Sequence, residues 1–392
     1  MRKTGNKLLS TLLTLLLLWT PAAVSAGNTP KPSQVPTQAP AQKTEPAAEP
    51  ALSPTVSPLP TATPKPTNTP KPTKTPKPTK TPKPTKTPMP TLRPSVLPTL
   101  PPTNEKGFLL EGEFIYESVE EGVWIYASPT LRVQIIRIKD PNKPLVWYEA
   151  NIYSDVAAGE NFSAIAFDNA LWGEARHVQP DRIAAENQVV FAMNTDYYTY
   201  RQARKNLMVG IIIRDGKIIS DKTSVYPRSR FPTLDTLALL PGGVMNVYRS
   251  DEITAQQYLD MGARDVFAFG PILVRDGKPN PDVPEFKYGK SNQPRCAIGM
   301  VEPGHYYAVL AEARLRDESI GVSLTTMMDM MLEGGCQTAL NLDGGQTAVM
   351  MFMGKQVSRI GSYNGGKTNP RSTTELIGIG RSQKVPAWVE EE

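Results

Sequence analysis

The stretch Ala339-Leu340-Asn341-Leu342-Asp343-Gly344-Gly345-Gln346-Thr347-Ala348-Val349-Met350 begins as an apolar run and ends as one, with two polar residues and two glycines between. It reads as a strand that delivers Asn341 and Asp343 to its C-terminal end. A bend at Gly344-Gly345 lets backbone pass close to a ligand, and a second strand follows. An ordinary Asp-Gly turn has the same composition, so the stretch by itself marks a candidate site and no more.

A helix leads into it. Ser323 can cap a helix whose Leu324, Met327, Met328, Met331 and Leu332 fall at i, i+3, i+4, i+7 and i+8, with Gly334-Gly335 as the stop. The methionine stripe reads as core rather than as a binding surface. The same order of helix, glycine stop, strand, turn and strand occurs at 254–275, where a helix over Thr254–Met261 precedes the strands Val266–Phe269 and Ile272–Arg275. A third helix is expected at Pro180–Glu186, ahead of a strand at Gln188–Met193. Further strands are expected at Leu131–Ile138, Leu145–Tyr153, Met208–Arg214, Val244–Tyr248, Tyr306–Leu310 and Glu375–Ile379. Asp215-Gly216-Lys217 and Asp276-Gly277-Lys278 carry tight-turn chemistry, because glycine tolerates the positive φ that a hairpin needs. The pattern predicts an α+β fold: a single strand-rich domain over 105–392 with a mixed β-sheet core and a few flanking helices. Residues 105–180 bring too little apolar surface to fold alone and are expected to supply the first strands of that sheet.

Upstream of the domain the chain changes character. Arg2, Lys3 and Lys7 precede an apolar stretch from Leu8 to Trp19 and small residues ending Val24-Ser25-Ala26, which reads as a signal peptide over 1–26. The stretch is shorter than a spanning helix requires, and no transmembrane segment is expected after signal cleavage. Residues 27–104 hold 23 of the 39 prolines, and KPTKTP repeats begin at Lys71, Lys77 and Lys83. This composition predicts a disordered Pro/Thr/Lys linker, stiffened by polyproline II, with a reach on the order of 200 Å if extended. The linker carries net +8 and the signal peptide +3, which leaves −6 for the domain. The basic total therefore belongs to the tail, which fits an anionic cell wall rather than nucleic acid or serves as a soluble spacer. A secreted, cell-wall-associated location follows from both segments. Two histidines, His177 and His305, supply a zinc site or a His-based triad poorly. Cys296 and Cys336 read as buried thiols, with one disulfide as the alternative.

Two further constellations bear on chemistry. Val190-Phe191-Ala192-Met193-Asn194-Thr195-Asp196-Tyr197-Tyr198 is an apolar strand that ends in an amide, a carboxylate and aromatics, a set suited to sugar rings but equally to a strand end with tyrosine on its rim. Arg295, Arg314 and Arg371 each stand next to a strand signal. Guanidinium suits two-point contact with phosphate, although a single arginine is more often a surface ion pair.

In this order the motifs resemble the bacterial phosphodiester glycosidase family, which is related to the animal lysosomal uncovering enzyme. The family pattern is matched by Asn194–Tyr198, Phe269–Gly277, Arg295–Gly299, Arg314 with Ser319 and Gly321, Asn341–Thr347 and Arg371, and the resemblance is clearest over 184–380. The chain departs from it at Thr195, at Gln346 and Thr347, and at Glu312-Ala313, where the pattern has Asp-Gly. The resemblance implies an exported hydrolase that cleaves the glycosidic C–O bond of a sugar-1-phosphodiester, with a sugar phosphate or wall glycopolymer as partner. It implies Asp343 and Asp196 as catalytic carboxylates. Asn194, Asn341, Tyr197, Arg295, Arg314, Arg371, Gly344 and Gly345 are then substrate-binding candidates. Two other readings stand beside it. The pocket could bind glycopolymer without cleaving it, or Asp343, Asp196 and Asn341 could hold Ca²⁺ or Mg²⁺ as hard oxygen ligands.

Overall fold

The computed structural model describes residues 93–94, 97–167, 177–196, 210–223, 233–362 and 368–390, all within the compact unit Lys83–Glu392. The predicted signal peptide, the KPTKTP repeats and Tyr197 lie outside the described residues. The chain opens as a meander of β1 (Phe114–Ser118), β2 (Val123–Ala127), β3 (Leu131–Lys139) and β4 (Val146–Ser154). Next come β5 (Ser163–Ala166), the helix α1 (Pro180–Glu186), β6 (Val189–Asn194), β7 (Gly210–Arg214) and β8 (Lys217–Lys222). They are followed by β9 (Asp235–Leu240), β10 (Val244–Tyr248), α2 (Ala255–Asp260), β11 (Asp265–Phe269), β12 (Ile272–Arg275) and β13 (Lys278–Pro279). The chain ends with β14 (Arg295–Glu302), β15 (His305–Ala311), α3 (Leu324–Glu333), β16 (Thr338–Leu342), β17 (Met350–Phe352), β18 (Lys355–Gln356) and β19 (Glu375–Arg381).

These strands form three sheets: β1-β2-β3-β4-β15-β14-β16-β12-β13, β10-β9-β11-β7-β8, and β18-β17-β6-β19-β5. The expected single mixed sheet is corrected on two counts. There are three sheets, and the strand pairs among the described residues are antiparallel. The two helix-to-strand-pair units explain the difference. β11 and β12 belong to different sheets, as do β16 and β17, so the chain steps between sheets at Gly270-Pro271 and at Gly344-Gly345 instead of folding back as hairpins. True hairpins occur at the two Asp-Gly-Lys turns, where Asp215 (φ 48°), Gly216 (φ 71°), Asp276 (φ 53°) and Gly277 (φ 66°) take the left-handed conformation that matches strand twist. β4 pairs with β15, so residues 114–154 extend the nine-stranded sheet. Contacts also begin before residue 105, with Thr103 bridged to Leu109 and Arg93 paired with Glu149 at 2.9 Å.

Strand alternation decides which residues meet, since successive side chains point to opposite faces. Cys296, Ile298, Leu340, Leu342, Val190, Met193, Leu237 and Phe267, drawn from all three sheets, share one central core. Their strand neighbours face outward onto helices. Ala297 and Ala339 pack with Met327, Met328 and Met331 of α3, Val189 and Ala192 with Ile183 of α1, and Ala238 and Val266 with Tyr258 of α2. The methionine stripe is thus core. Ser323 caps α3 by accepting from the Thr326 N–H, and Thr254 with Gln257 forms a capping box on α2.

One buried charge crosses from sheet to sheet. Arg214, at the end of β7, is 1% exposed. It pairs with Asp196 and, at 2.6 Å, with Glu375 of β19, while Nη1 donates to the carbonyls of Ile213 and Val266 at 2.8 and 2.6 Å. Burial works against its charge, but Glu375, Asp196 and Asp265 outweigh that and raise its pKa. Removing one partner from such a cluster leaves the others charged and dry. Arg214→Met is therefore expected to lower stability by about 3–5 kcal/mol in urea unfolding. A midpoint equal to the native one would contradict the assigned role.

Candidate active site

Antiparallel pairing gathers three distant segments at one end of the nine-stranded sheet. In the β14–β16 register Cys296 faces Leu342, so Arg295 and Asp343 are the next residues out. On the other side of β14, Arg295 faces Ala311, the last residue of β15, so Glu312, Ala313 and Arg314 leave the sheet at the same end. A cleft of about 360 Å³ opens there, lined by Arg295, Arg314, Arg371, Asn341, Asp343, Gly344 and Gly345. That volume suits a small ligand. Seven of the ten predicted site residues therefore meet in one cavity.

Backbone contacts fix Asp343. Its N–H donates to the Thr195 carbonyl at 3.2 Å, and its own carbonyl accepts from Asn194 Nδ2 at 2.6 Å and from the Cys296 thiol at 3.3 Å. Asn194 is fully buried, and its Oδ1 accepts from the Val349 N–H at 3.0 Å and from Cys296 Sγ at 3.2 Å. It therefore lies beneath the cleft and fastens the strand end above it, where the sequence reading had it touching substrate. Both cysteines are free and buried. Burial pushes the Cys296 thiol up, which keeps its proton available for these hydrogen bonds.

The glycine pair is required sterically. A Cβ on Gly344 would lie 2.5 Å from the Pro294 carbonyl oxygen, the same oxygen that accepts from the Gly345 N–H at 2.9 Å. Gly345 has φ 66°. Asn341 Nδ2 donates to the Gly270 carbonyl at 2.9 Å, and its Oδ1 is buried without a partner in the described structure.

The three arginines are held differently. Arg295 donates to backbone carbonyls only, through Nε to Val322 at 2.9 Å and through Nη2 to Tyr288 and Ser291 at 3.0 Å each. No carboxylate pairs with it among the described residues, and desolvation lowers its pKa to about 10. Arg314 Nη2 donates to Gln293 Oε1 at 2.9 Å. Arg371 reaches Thr347 Oγ1 at 3.5 Å, and its N–H donates to the Gln346 carbonyl at 3.2 Å. Gln346 Nε2 in turn donates to the Asn369 carbonyl at 2.9 Å. Gln346 and Thr347, two of the positions at which the chain departs from the family pattern, thus dock the Arg371 segment.

Asp196 lies away from the cleft lining. Its carboxylate engages the Arg214 guanidinium and accepts from the Ala268 N–H, so it braces the chain one residue beyond Thr195. The set Asp343, Asp196 and Asn341 does not fit a cation, because Asp196 already faces Arg214. Among the described residues no three His, Cys, Asp or Glu side chains gather as metal ligands. The sequence reading missed the aromatic side of the cleft, Phe269, Phe286 and Tyr288, and the buried acid Glu375 of β19. An ionisable residue at the start of an apolar strand is the signal that marked Glu375. Phe286 and Tyr288 fall in a segment with no periodicity to mark them.

The family model for phosphodiester glycosidases matches residues 187–380. The catalytic domain of zebrafish N-acetylglucosamine-1-phosphodiester alpha-N-acetylglucosaminidase, auto-inhibited by its pro-peptide, aligns with TM-score 0.50 and 16% identity over 65% of this chain and 85% of that one. A hypothetical protein from Synechocystis aligns with TM-score 0.45 and 12% identity over 64% of this chain and 62% of its own. The SPbeta prophage-derived uncharacterized protein YomE of Bacillus subtilis (strain 168) is 29% identical over 154 residues, 39% of this chain and 23% of that protein. The chain thus spans about a quarter of this relative.

Gly344→Ala is expected to lower stability by about 1–3 kcal/mol in chemical unfolding, because the carbonyl it would strike belongs to backbone that cannot yield as a side chain does. An unchanged midpoint would mean that the strand end is free to shift. The ordered motifs and the family match agree: residues 187–380, part of a larger fold, match the phosphodiester glycosidase family, a family of glycosidase-type hydrolases.

Proposed function

We propose that this domain hydrolyses the glycosidic C–O bond of a sugar-1-phosphodiester, of the N-acetylglucosamine-1-phosphate kind, in a wall or extracellular glycopolymer. The observation that carries the reading is one carboxylate, Asp343, sharing a cleft with three arginines, of which Arg295 is buried without an acidic partner among the described residues. A phosphate ester leaves as a stabilised anion and needs little protonation. Fixed guanidinium groups can take the part that a protonated carboxylic acid plays in ordinary glycosidases. Asp343 then either supports the oxocarbenium-like anomeric carbon or accepts a proton from the attacking water. The products are free sugar and a phosphomonoester. Phe286 and Tyr288 offer faces on which a pyranose ring can stack. The name of the zebrafish relative supports N-acetylglucosamine as the sugar.

Asp196 and Asn194 support the reaction by position in this scheme, since both hold the backbone that carries Asp343. The signal-like N-terminus supports an extracellular location in this reading, and the lysine-rich repeats would suit contact with anionic wall polymer.

The test is hydrolysis of UDP-N-acetylglucosamine and of a simple N-acetylglucosamine-1-phosphodiester by the full chain, with free sugar and phosphomonoester followed separately. Both products are expected from the native chain, and Asp343→Asn is expected to lower the rate on the order of 10³-fold. Binding of sugar phosphate without release of free sugar would instead make this a glycopolymer-binding module.

A further inference from the structure

The segment after β15 carries a buried acid that the reaction leaves unused. Glu312 is 1% exposed and stands two residues before Arg314. Its Oε1 accepts from the Tyr148 hydroxyl at 2.8 Å and from the Arg359 N–H at 2.7 Å. Its Oε2 accepts from Arg359 Nη2 at 2.9 Å and Nε at 3.2 Å. The remaining arm of that guanidinium, Nη1, pairs with Glu318 at 2.7 Å. The backbone of Glu312 is fastened as well: its N–H donates to the Val146 carbonyl at 3.0 Å, and its carbonyl accepts from Ser319 Oγ at 2.6 Å. An aspartate, one methylene shorter on the same fastened backbone, would not reach Tyr148 and Arg359 together, which gives the departure from Asp-Gly a physical sense.

Arg314 needs such support. Its φ of 61° is left-handed, a conformation that a residue with a long side chain keeps only when its surroundings impose it. The chain just past Arg359 supplies the surroundings. A Cβ on Gly361 would lie 2.4 Å from the Ala313 carbonyl oxygen and from the carbonyl atoms of Arg314, so residues 359–361 run directly over the strained backbone. On the far side, the Arg314 guanidinium donates to Gln293 and comes within 3.5 Å of where a Cβ on Gly345 would stand.

We infer that the Glu312–Arg359 ion pair is a positioning device for Arg314: it clamps residues 359–361 onto the Ala313-Arg314 backbone and so aims the Arg314 guanidinium at the glycine pair of the cleft. Neither member of the pair lines the cleft. The inference rests on the reading of Arg314 as a phosphate ligand. It assigns Arg359 and Glu312 an effect on catalysis that passes through Arg314 alone.

A double-mutant cycle on the full chain separates this from a merely structural role, because coupled residues give non-additive effects. Arg359→Lys, Arg314→Ala and the double variant are compared by kcat/KM on the N-acetylglucosamine-1-phosphodiester. Arg359→Lys keeps a cation beside Glu312 but loses the two-point geometry, and it is expected to cost about 10- to 100-fold in the native background. With Arg314 already alanine, the same change is expected to cost no more than about 2-fold. Equal losses in both backgrounds overturn the inference and leave the proposed reaction standing. Should Arg359→Lys fail to fold, the paired change Glu312→Gln with Arg359→Met, which removes both charges and keeps an acceptor for Tyr148, replaces it under the same criterion. If the native chain turns over no diester, the proposed reaction fails, and the cycle is read instead on calorimetric affinity for N-acetylglucosamine 1-phosphate. Absence of that binding as well removes the role of Arg314 and the inference with it.

Discussion

A guanidinium that is shut away from water and paired with carboxylates fixes the groups around it, and Arg214 does so by drawing two sheets together. It sits on β7 of one five-stranded sheet, while Glu375 on β19 and Asp196 just beyond β6 belong to the other. Ion pairs in a dry interior are strong when aligned and costly when broken, so the relative placement of these strands is narrowly set. Asp265 makes a second crossing, accepting from the N–H of Asp215 at 3.0 Å and of Ala164 at 3.1 Å. The constraint reaches the cleft over a short path. Asp196 is pinned by Arg214, the carbonyl of its neighbour Thr195 accepts from the Asp343 N–H, and Asp343 is the carboxylate that lines the cleft.

The cleft inherits its character from where it lies. Strands of the central sheet supply a floor whose backbone hydrogen bonds are paired, and the loops beyond their ends supply walls. Rigid strand ends fix Asn341, Asp343 and Arg295 to one another through register, which no loop could do as firmly. Loops carry the rest: Arg314 after β15, Arg371 before β19, and the Phe286–Ser291 segment whose carbonyls hold Arg295.

Much of this was legible in the chain. Apolar runs and glycine stops marked the three helices of the described residues and many of the strands, though not β1, β2, β5 or β9, and the ordered motifs named seven of the residues that line the cleft. Topology was less accessible. An apolar strand, a glycine pair and another apolar strand read alike whether the chain folds back in a hairpin or steps into a neighbouring sheet, because the local backbone demands are the same and only the distant pairing partners decide. Asn194 and Asp196 show the corresponding limit at the site. Both sit at a strand end among aromatics, as a ligand-binding pair would. Asn194, however, satisfies backbone groups under the floor, and Asp196 answers a buried arginine eighteen residues along, at the end of a strand that was predicted without its arginine being singled out.

Arginine makes the same point in reverse, and here counter-charge is the deciding quantity. Arg214 and Arg295 are both buried, and residue type alone gives them equal standing as anion ligands. Arg214 faces two carboxylates, so its field is spent within the fold. Arg295 is held by carbonyl dipoles, which orient it without cancelling its charge, and desolvation already lowers its pKa. Arg314 is likewise held by a neutral amide oxygen of Gln293. At an effective dielectric near 20, an anion about 4 Å from such a group gains roughly 4 kcal/mol of attraction. The gain is largest for a group whose charge no neighbour has neutralised. Under the proposed reaction a phosphodiester would supply the counter-charge that Arg295 and Arg314 lack among the described residues, and the charge building on its oxygen as the C–O bond breaks would fall beside them.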